Sequence, residues 1–425
     1  MITSVEGRET LTGAPRTSHG VLIVAHAFPP QNLSGARRPY RFAKYLPQCG
    51  YEVRVLAAPA AGRPREEGLV RTAPSQTHTS KRTQLESRIV QLVQRHLLPY
   101  DDQLAWVPHA TAVGAEILRG GSIRAVVSTS PPLATHLAAA RLKRRYAVKW
   151  VADFRDPLFG NPARTRRIGW LYDAAMERHI LGQADAVIAN TDAVAELLRK
   201  RYPRWAHKIS VIWNGYDPEE NFGPAPIPPR SYRVLAHVGT LFGRRQPGAL
   251  LGSLDRLMTR GLLDPAELKV DLLGPMDSNA PWTRAPAFAA LVGRGCLRCT
   301  NYMVPESEAR RAIAEADYLL LLDLHDGRSA VQVPAKLFEY IQVARPILAF
   351  STPNAPVREI LVKSGVAHRF LCYSDSPEQI DRELLRFLRL PASPAVVSPW
   401  FRKHFAAPEQ ARTLSLLLDG LLRAV

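Results

Sequence analysis

Short runs of consecutive apolar residues recur along this chain, each closed by a glycine, proline or polar cluster and followed by a segment of helical period. VLIVAHAF (21–28), YEVRVLAAP (51–59), IRAVVS (123–128), VKWVA (148–152), ADAVIAN (184–190) and KISVIWNG (208–215) form one series. YRVLAHVGT (232–240), LKVDLLGP (268–275), LRCTNYM (297–303), ADYLLLLD (316–323) and RPILAF (345–350) form another. A parallel strand covered on both faces reads this way, because no side of it needs to be polar. Helical segments lie between the runs: one through Tyr40, Phe42, Ala43 and Leu46 to a stop at Gly50, one after Pro132 that carries Arg141, Lys143, Arg144 and Arg145, then 170–182, 193–201, from 248, and 305–315. Strand and helix in alternation predict doubly wound α/β architecture. Between the two series, NGYDPEENFGPAPIPPR (214–230) is aperiodic and proline-rich, as a linker is.

The expected organisation is therefore a leader over 1–19, an N-terminal Rossmann-like domain over 20–213 and a linker over 214–231. A second Rossmann-like domain over 232–397 follows, facing the first across a cleft, and then a helix over 398–425. The tail carries Leu414, Leu417, Leu418, Leu421 and Leu422 along one stripe and is expected to pack back on the first domain. The leader is polar and lacks an apolar centre, so it reads as a disordered arm rather than a signal peptide. Residues 60–80, rich in Gly, Pro, Arg and Thr, read as a loop. Residues 81–98 place Leu85, Ile89, Leu92, Val93 and Leu97 at helical spacing among arginines, which suits a membrane-surface helix and a core-facing helix with a basic outer face equally.

A chain of 425 residues with 46% hydrophobic and 22% charged residues has enough apolar material for two or three cores. No apolar run reaches the roughly 18 residues of a membrane span. A formal charge of +18 points to an anionic partner: nucleotide, nucleic acid or acidic lipid. Scattered aromatic residues and the lack of any recognition helix, RRM-type signature or zinc module argue against nucleic acid. Four cysteines fit a reducing compartment. Cys296 and Cys299 form a lone CxxC with no second pair to complete a zinc site, so no metal is expected there.

The candidate site centres on VQVPAKLFEYIQVARPILAF (331–350). Pro334 suits the first position of a helix, and Lys336 falls in its first turn, where a cation opposes the helix dipole unless an anion binds there. Glu339 lies three residues on, on the same face, and reads as a partner for ribose hydroxyls; a surface Lys–Glu pair is the plainer alternative. Gly239 and Thr240 close the first strand of the second series, with Arg244 and Arg245 just after, fit for a diphosphate. Gly35 occupies the matching loop of the first series, which holds no GxGxxG. Asp153, Arg155 and Asp156 crowd the end of VKWVADFRDP, where open α/β sheets place ligands; an Asp-Pro turn with a local ion pair is the alternative.

Six stretches in this order, VLIVAHAFPPQNLSGARR, WVADFRDP, ADAVIANT, SVIWNGYD, HVGTLFGRRQP and VPAKLFEYIQVARPILAF, resemble the family 4 glycosyltransferases of the GT-B fold, over roughly residues 20–425. Within that family the chain looks most like the bacterial polysaccharide-biosynthesis subgroup. The resemblance implies a retaining transfer of a hexose from a UDP- or GDP-linked donor to a hydroxyl of a glycan or lipid-linked acceptor, without a metal. It implies that Gly239 and Thr240 approach the diphosphate, that Arg244 or Arg245, with Lys336, neutralises it, and that Pro334 and Glu339 complete the donor site. Ser34 and Gly35 would face the phosphates and sugar, and Asp153, Arg155 and Asp156 would stand where many relatives carry a catalytic-site histidine. Val331 departs from the family, which often has a glutamate there. A GT-B nucleotide-sugar epimerase and a non-catalytic basic binding protein are the competing readings. A cytoplasmic protein, docked by its charge on an anionic inner membrane face, is the expected setting.

Overall fold

The computed structural model describes residues 19–31, 33–60, 68–72, 103–161, 169–220, 223–241, 243 and 245–423. The six runs of the first series form strands, and with Leu69–Arg71 added the first sheet has seven: β1 (His19–Ala25), β2 (Tyr51–Ala57), β3 (Leu69–Arg71), β4 (Ile123–Ser130), β5 (Lys149–Phe154), β6 (Ala186–Ala189) and β7 (Ile209–Val211). They pair in parallel in the order β3-β2-β1-β4-β5-β6-β7. The five runs of the second series form β8 (Arg233–Val238), β9 (Leu268–Leu273), β10 (Leu297–Cys299), β11 (Tyr318–Leu322) and β12 (Ile347–Ser351), and β13 (His368–Cys372), which the sequence did not single out, completes the sheet. Their order, β10-β9-β8-β11-β12-β13, is again parallel throughout.

Strand alternation divides each sheet between two cores. Leu22, Val24, Val126, Trp150 and Phe154 point to one face of the first sheet and pack with residues of four helices: α2 (Trp106–Arg119), α3 (Ala134–Arg145), α4 (Trp170–Gln183) and α5 (Asp192–Arg201). Val21, Ile23, Ala25, Val127 and Val151 point to the other, which α1 (Ser34–Tyr45) covers. The remaining cover on that face comes from the chain's far end. Ala407, Ala411, Leu414 and Leu418 are buried in the same core, on a helix spanning Ala407–Arg423. The tail thus crosses back onto the first domain, as its leucine stripe predicts.

The second sheet is flanked by α6 (Gly248–Thr259), α7 (Pro286–Gly293), α8 (Glu306–Ala314), α9 (Ala335–Val343), α10 (Pro356–Ser364) and α11 (Pro377–Leu388). After these the tail runs as two helices, α12 (Pro399–Phe405) and α13 (Ala407–Arg423). The sequence suggests one continuous helix there, but Ala406 is extended, at φ −71° and ψ 133°. Its backbone instead bridges the linker in parallel with Tyr216. Tyr216 N donates to the Phe405 carbonyl (2.9 Å) and Ala407 N to the Tyr216 carbonyl (2.8 Å). A Cβ on Gly215 would lie 1.9 Å from that Phe405 carbonyl oxygen, so only glycine lets the two crossings touch.

The linker is not a free tether. Arg41, Lys44 and Tyr45, along one stripe of α1, hold the Gly215 carbonyl and the buried Asp217 carboxylate. Within 60–80, read as a loop, Leu69–Arg71 is an edge strand paired with β2. The helix expected over 81–98 lies outside the described residues. No helix among the described residues is long and apolar enough to cross a membrane.

Candidate functional site

Both sheets reverse their winding between neighbouring strands, at β1/β4 in the first and β8/β11 in the second. In a doubly wound sheet the crevice at that point, beyond the strands' C-terminal ends, is free for a ligand. The two crevices face each other here and enclose one cavity of about 420 Å³, whose lining includes Gly35, Arg37, Pro131, Thr240, Asp323 and Lys336. A cavity of about 480 Å³ lies elsewhere, within the second domain. Its cations are largely matched: Arg298 pairs with Asp271 and Arg230 with Asp317, both at 2.6 Å, and Lys269 Nζ donates to the Gly295 carbonyl. Uncompensated positive charge collects between the domains instead.

From the second domain, α9 points its N-terminus at this space. Pro334 caps it with non-helical ψ 129°, so the helix opens at Ala335, one residue later than the sequence suggests. Lys336 is therefore its second residue, and the helix has no acid in its first turn. Gly239, at φ 147°, lies directly beneath it: a Cβ there would sit 2.1 Å from Lys336 Cε and 2.7 Å from Nζ. The lysine stretches across bare backbone that no other residue could supply. Lys336 has no hydrogen bond or ion pair among the described residues. Burial lowers its pKa, with Arg37 and Arg245 adding to the effect and Glu339 opposing it. Arg245 and Thr240 line the same cavity, and Arg245 likewise pairs with no described residue. Arg244 lies outside the described residues.

Below these cations sit two groups that the sequence did not single out. His237, on β8, is buried, and its Nδ1 is 2.9 Å from the Leu320 carbonyl. A carbonyl only accepts, so Nδ1 carries the proton and Nε2 offers a lone pair. That Nε2 has no partner among the described residues. Burial, with Lys336 beside it, pushes its pKa down to about 3, so the ring stays neutral. Asp323, at the end of β11, accepts from Ser351 Oγ (2.6 Å) and the Leu324 N–H (2.8 Å). Burial pushes its pKa up to about 6. An acid closing an apolar run, as in YLLLLD, is the sequence signal that could have found it.

From the first domain, Gly35 lies in the first turn of α1, where a Cβ would meet Arg155 Nη1 at 2.4 Å. Arg155 is fixed by the carbonyls of Ser130 (3.1 Å) and Pro131, which set its guanidinium against that glycine. Asp156 accepts a hydrogen bond from Gln332 of the other domain, and burial raises its pKa. Asp153 departs from its assigned place. It is fully buried, and both its oxygens are taken by Arg38 Nε (2.9 Å) and Nη2 (2.8 Å). Arg38 also donates to the Ile212 and Trp213 carbonyls, so the pair braces α1 against β5 and the chain leaving β7, and Asp153 itself is not in the cavity lining. Ser34 opens α1, and its side chain lies outside the description.

Glu339 is held across the cleft by Arg37 of α1. Thr191 Oγ1 donates to the Val331 carbonyl at 2.9 Å, a third link between the domains. In the first domain, then, the structure brings Gly35, Arg155 and Asp156 to the cavity. In the second it brings Thr240, Arg245, Pro334, Lys336 and Glu339, with Gly239 beneath the lysine. It adds Arg37, which the sequence showed only as part of a loop.

Residues 35–220 match the family model described as Glycosyltransferase Family 4. A D-inositol 3-phosphate glycosyltransferase from Nocardiopsis dassonvillei is 25% identical over 254 residues, which is 57% of either chain; the match thus spans little more than half of that relative. Sucrose-phosphate synthase from Thermosynechococcus elongatus superposes with a TM-score of 0.61 at 12% identity, over 96% of this chain and 100% of that one. Anabaena HepE, solved with UDP and glucose, superposes with a TM-score of 0.58 at 12% identity, over 94% and 99%. The fold is thus GT-B, two Rossmann-like domains facing across a cleft, and the resemblance to family 4 glycosyltransferases holds.

Proposed function

We propose that this chain is a retaining glycosyltransferase that moves a hexose from a UDP- or GDP-linked donor to an acceptor hydroxyl. The acceptor is proposed to be a lipid-linked or polysaccharide precursor of the cell envelope. One observation carries the reading: Lys336 and Arg245, unpaired among the described residues, converge with the open N-terminus of α9 on the interdomain cavity. Two cations and a row of helix-end N–H groups suit a diphosphate. The family match and neighbours such as HepE, solved with UDP and glucose, support it.

Cleavage of the glycosidic bond leaves its electron pair on the diphosphate. Lys336, Arg245 and the α9 N–H groups meet that charge more strongly as it develops, which accelerates the step. Side-chain cations here take the part a divalent metal plays in other transferases. Glu339, one turn below the anion site, suits the ribose hydroxyls. Arg155 and Asp156, just past the C-terminal end of β5, suit the transferred sugar. Contacts between the domains exclude water and fix the acceptor's approach.

A thermal-shift panel of UDP-, GDP- and TDP-sugars identifies the donor: a ligand at a hundred times its dissociation constant adds about 2.7 kcal/mol of stability. With that donor, Lys336→Ala and Arg245→Ala are each expected to lower turnover at least tenfold, about 1.4 kcal/mol. Smaller losses in both, or no stabilisation by any nucleotide sugar, overturn the assignment. Isomerisation of the donor without acceptor would make the protein an epimerase.

A further inference from the structure

We propose that Arg37 is a phosphate-binding residue supplied by the first domain, and that the donor takes it from Glu339. The ribose hydroxyls claim the carboxylate while the diphosphate claims the guanidinium. The proposal deepens the donor reading above and rests on it.

Arg37 occupies the first turn of α1, where exposed N–H groups and the positive dipole end disfavour a cation. The helix holds no acid there to offset it. Across the cleft α9 repeats the pattern, with Lys336 in an acid-free first turn. Two helix N-termini, each carrying its own positive side chain, therefore face one another over the cavity. Among the described residues, six basic side chains line that space against three acidic ones, Asp156, Asp323 and Glu339.

Most of the first-domain arginines in the lining are committed. Arg38 is bound to Asp153 and two carbonyls, Arg41 to the Gly215 carbonyl and Glu220, and Arg155 to two carbonyls. Arg37 differs. Among the described residues its side chain hydrogen-bonds only Glu339, a residue of the other domain, and it is 32% exposed against 11% for its partner. The Arg37 end of this pair reaches water while Glu339 is buried, so the guanidinium is the partner placed to exchange. Moving Arg37 breaks no hydrogen bond within its own domain among the described residues.

The exchange conserves charge pairing. Without donor, Glu339 neutralises Arg37 and joins the two domains. With donor, the guanidinium meets phosphate oxygens in a planar, bidentate geometry that it matches. The freed carboxylate accepts from two hydroxyls. The repulsion among Arg37, Lys336 and Arg245 is relieved by the same anion. Because Arg37 reaches the phosphates only while the domains touch, it adds its charge only in the closed state.

The test compares nucleoside diphosphate with bare nucleoside, using UDP with uridine and GDP with guanosine, on wild type, Arg37→Ala and Arg37→Lys by calorimetric titration. The diphosphate-to-nucleoside affinity ratio is expected to fall at least tenfold in Arg37→Ala and to recover in part in Arg37→Lys. Nucleoside affinity itself should hold or tighten, since Glu339 is released. If Arg37→Ala weakens both ligands by one factor, or neither, Arg37 merely props the fold or Glu339 and the proposal is wrong. A wild type that binds neither diphosphate removes the donor reading itself, and this proposal with it.

Discussion

Gly239 and Lys336 act as one unit: the glycine exists so that the lysine can lie over it. Gly239→Ala places a methyl group 2.1 Å from Lys336 Cε at a φ of 147° that alanine resists. The lysine side chain is flexible and will swing away rather than break the fold. The expected outcome is a folded protein with a modestly lower melting temperature and at least tenfold weaker nucleoside diphosphate binding, about 1.4 kcal/mol by titration. Unchanged affinity would separate the glycine from the lysine's role. Residues such as Gly35, Gly239, Lys336 and Glu339 were legible in sequence because each sits where a strand ends and a helix begins, and that local grammar is read within a few positions. Their partners were not. Asp153 looked like a catalytic carboxylate because its answering Arg38 is 115 residues away, and Glu339 is engaged by an arginine 302 residues away. His237 passed unnoticed because a histidine inside an apolar strand reads as core until its free nitrogen is located.

At the scale of elements, α1 and α13 decide how the domains are joined. α1 reads in sequence as a loop, PPQNLSGARR, followed by a helix through Tyr40, Phe42, Ala43 and Leu46. The helix instead opens at Ser34 with Pro39 inside it. Proline there removes only the N–H that would have met the Gly35 carbonyl, so the first turn survives. That shift of a few residues is what carries Arg37 to the cavity. The leucine stripe of the tail was legible from its period alone. The break at Ala406 was not, because its cause is a backbone pairing with Tyr216, far off in sequence. Leu414→Ala, at a fully buried position of α13, is expected to destabilise the first domain by about 2–5 kcal/mol in urea unfolding. A loss below about 1 kcal/mol would mean that this helix rests on the domain without completing its core.

At the scale of the whole molecule, net charge and domain contact bear on where the protein works. A formal charge of +18 has the sign that an anionic surface attracts, and membrane docking is the proposal it raises. The purified protein is expected to co-sediment with phosphatidylglycerol-containing liposomes at low ionic strength and to leave them as salt approaches 1 M, where the screening length falls to about 3 Å. Indifference to such liposomes at physiological salt would remove the membrane from the picture. The two-domain plan and the cleft were legible from the alternation of apolar runs and the proline-rich join. The contacts that close the cleft were not, since Arg37–Glu339, Thr191–Val331 and Asp156–Gln332 each unite residues of different domains. The tail's return has a consequence during synthesis. Part of one face of the first sheet, the part α1 does not cover, stays bare until Ala407 and the residues after it emerge, and at about 5–20 residues per second that wait is roughly 10–40 s. For that interval the nascent chain must rely on a chaperone, or on the ribosome's own surface, to shelter a patch its final helix is destined to hide.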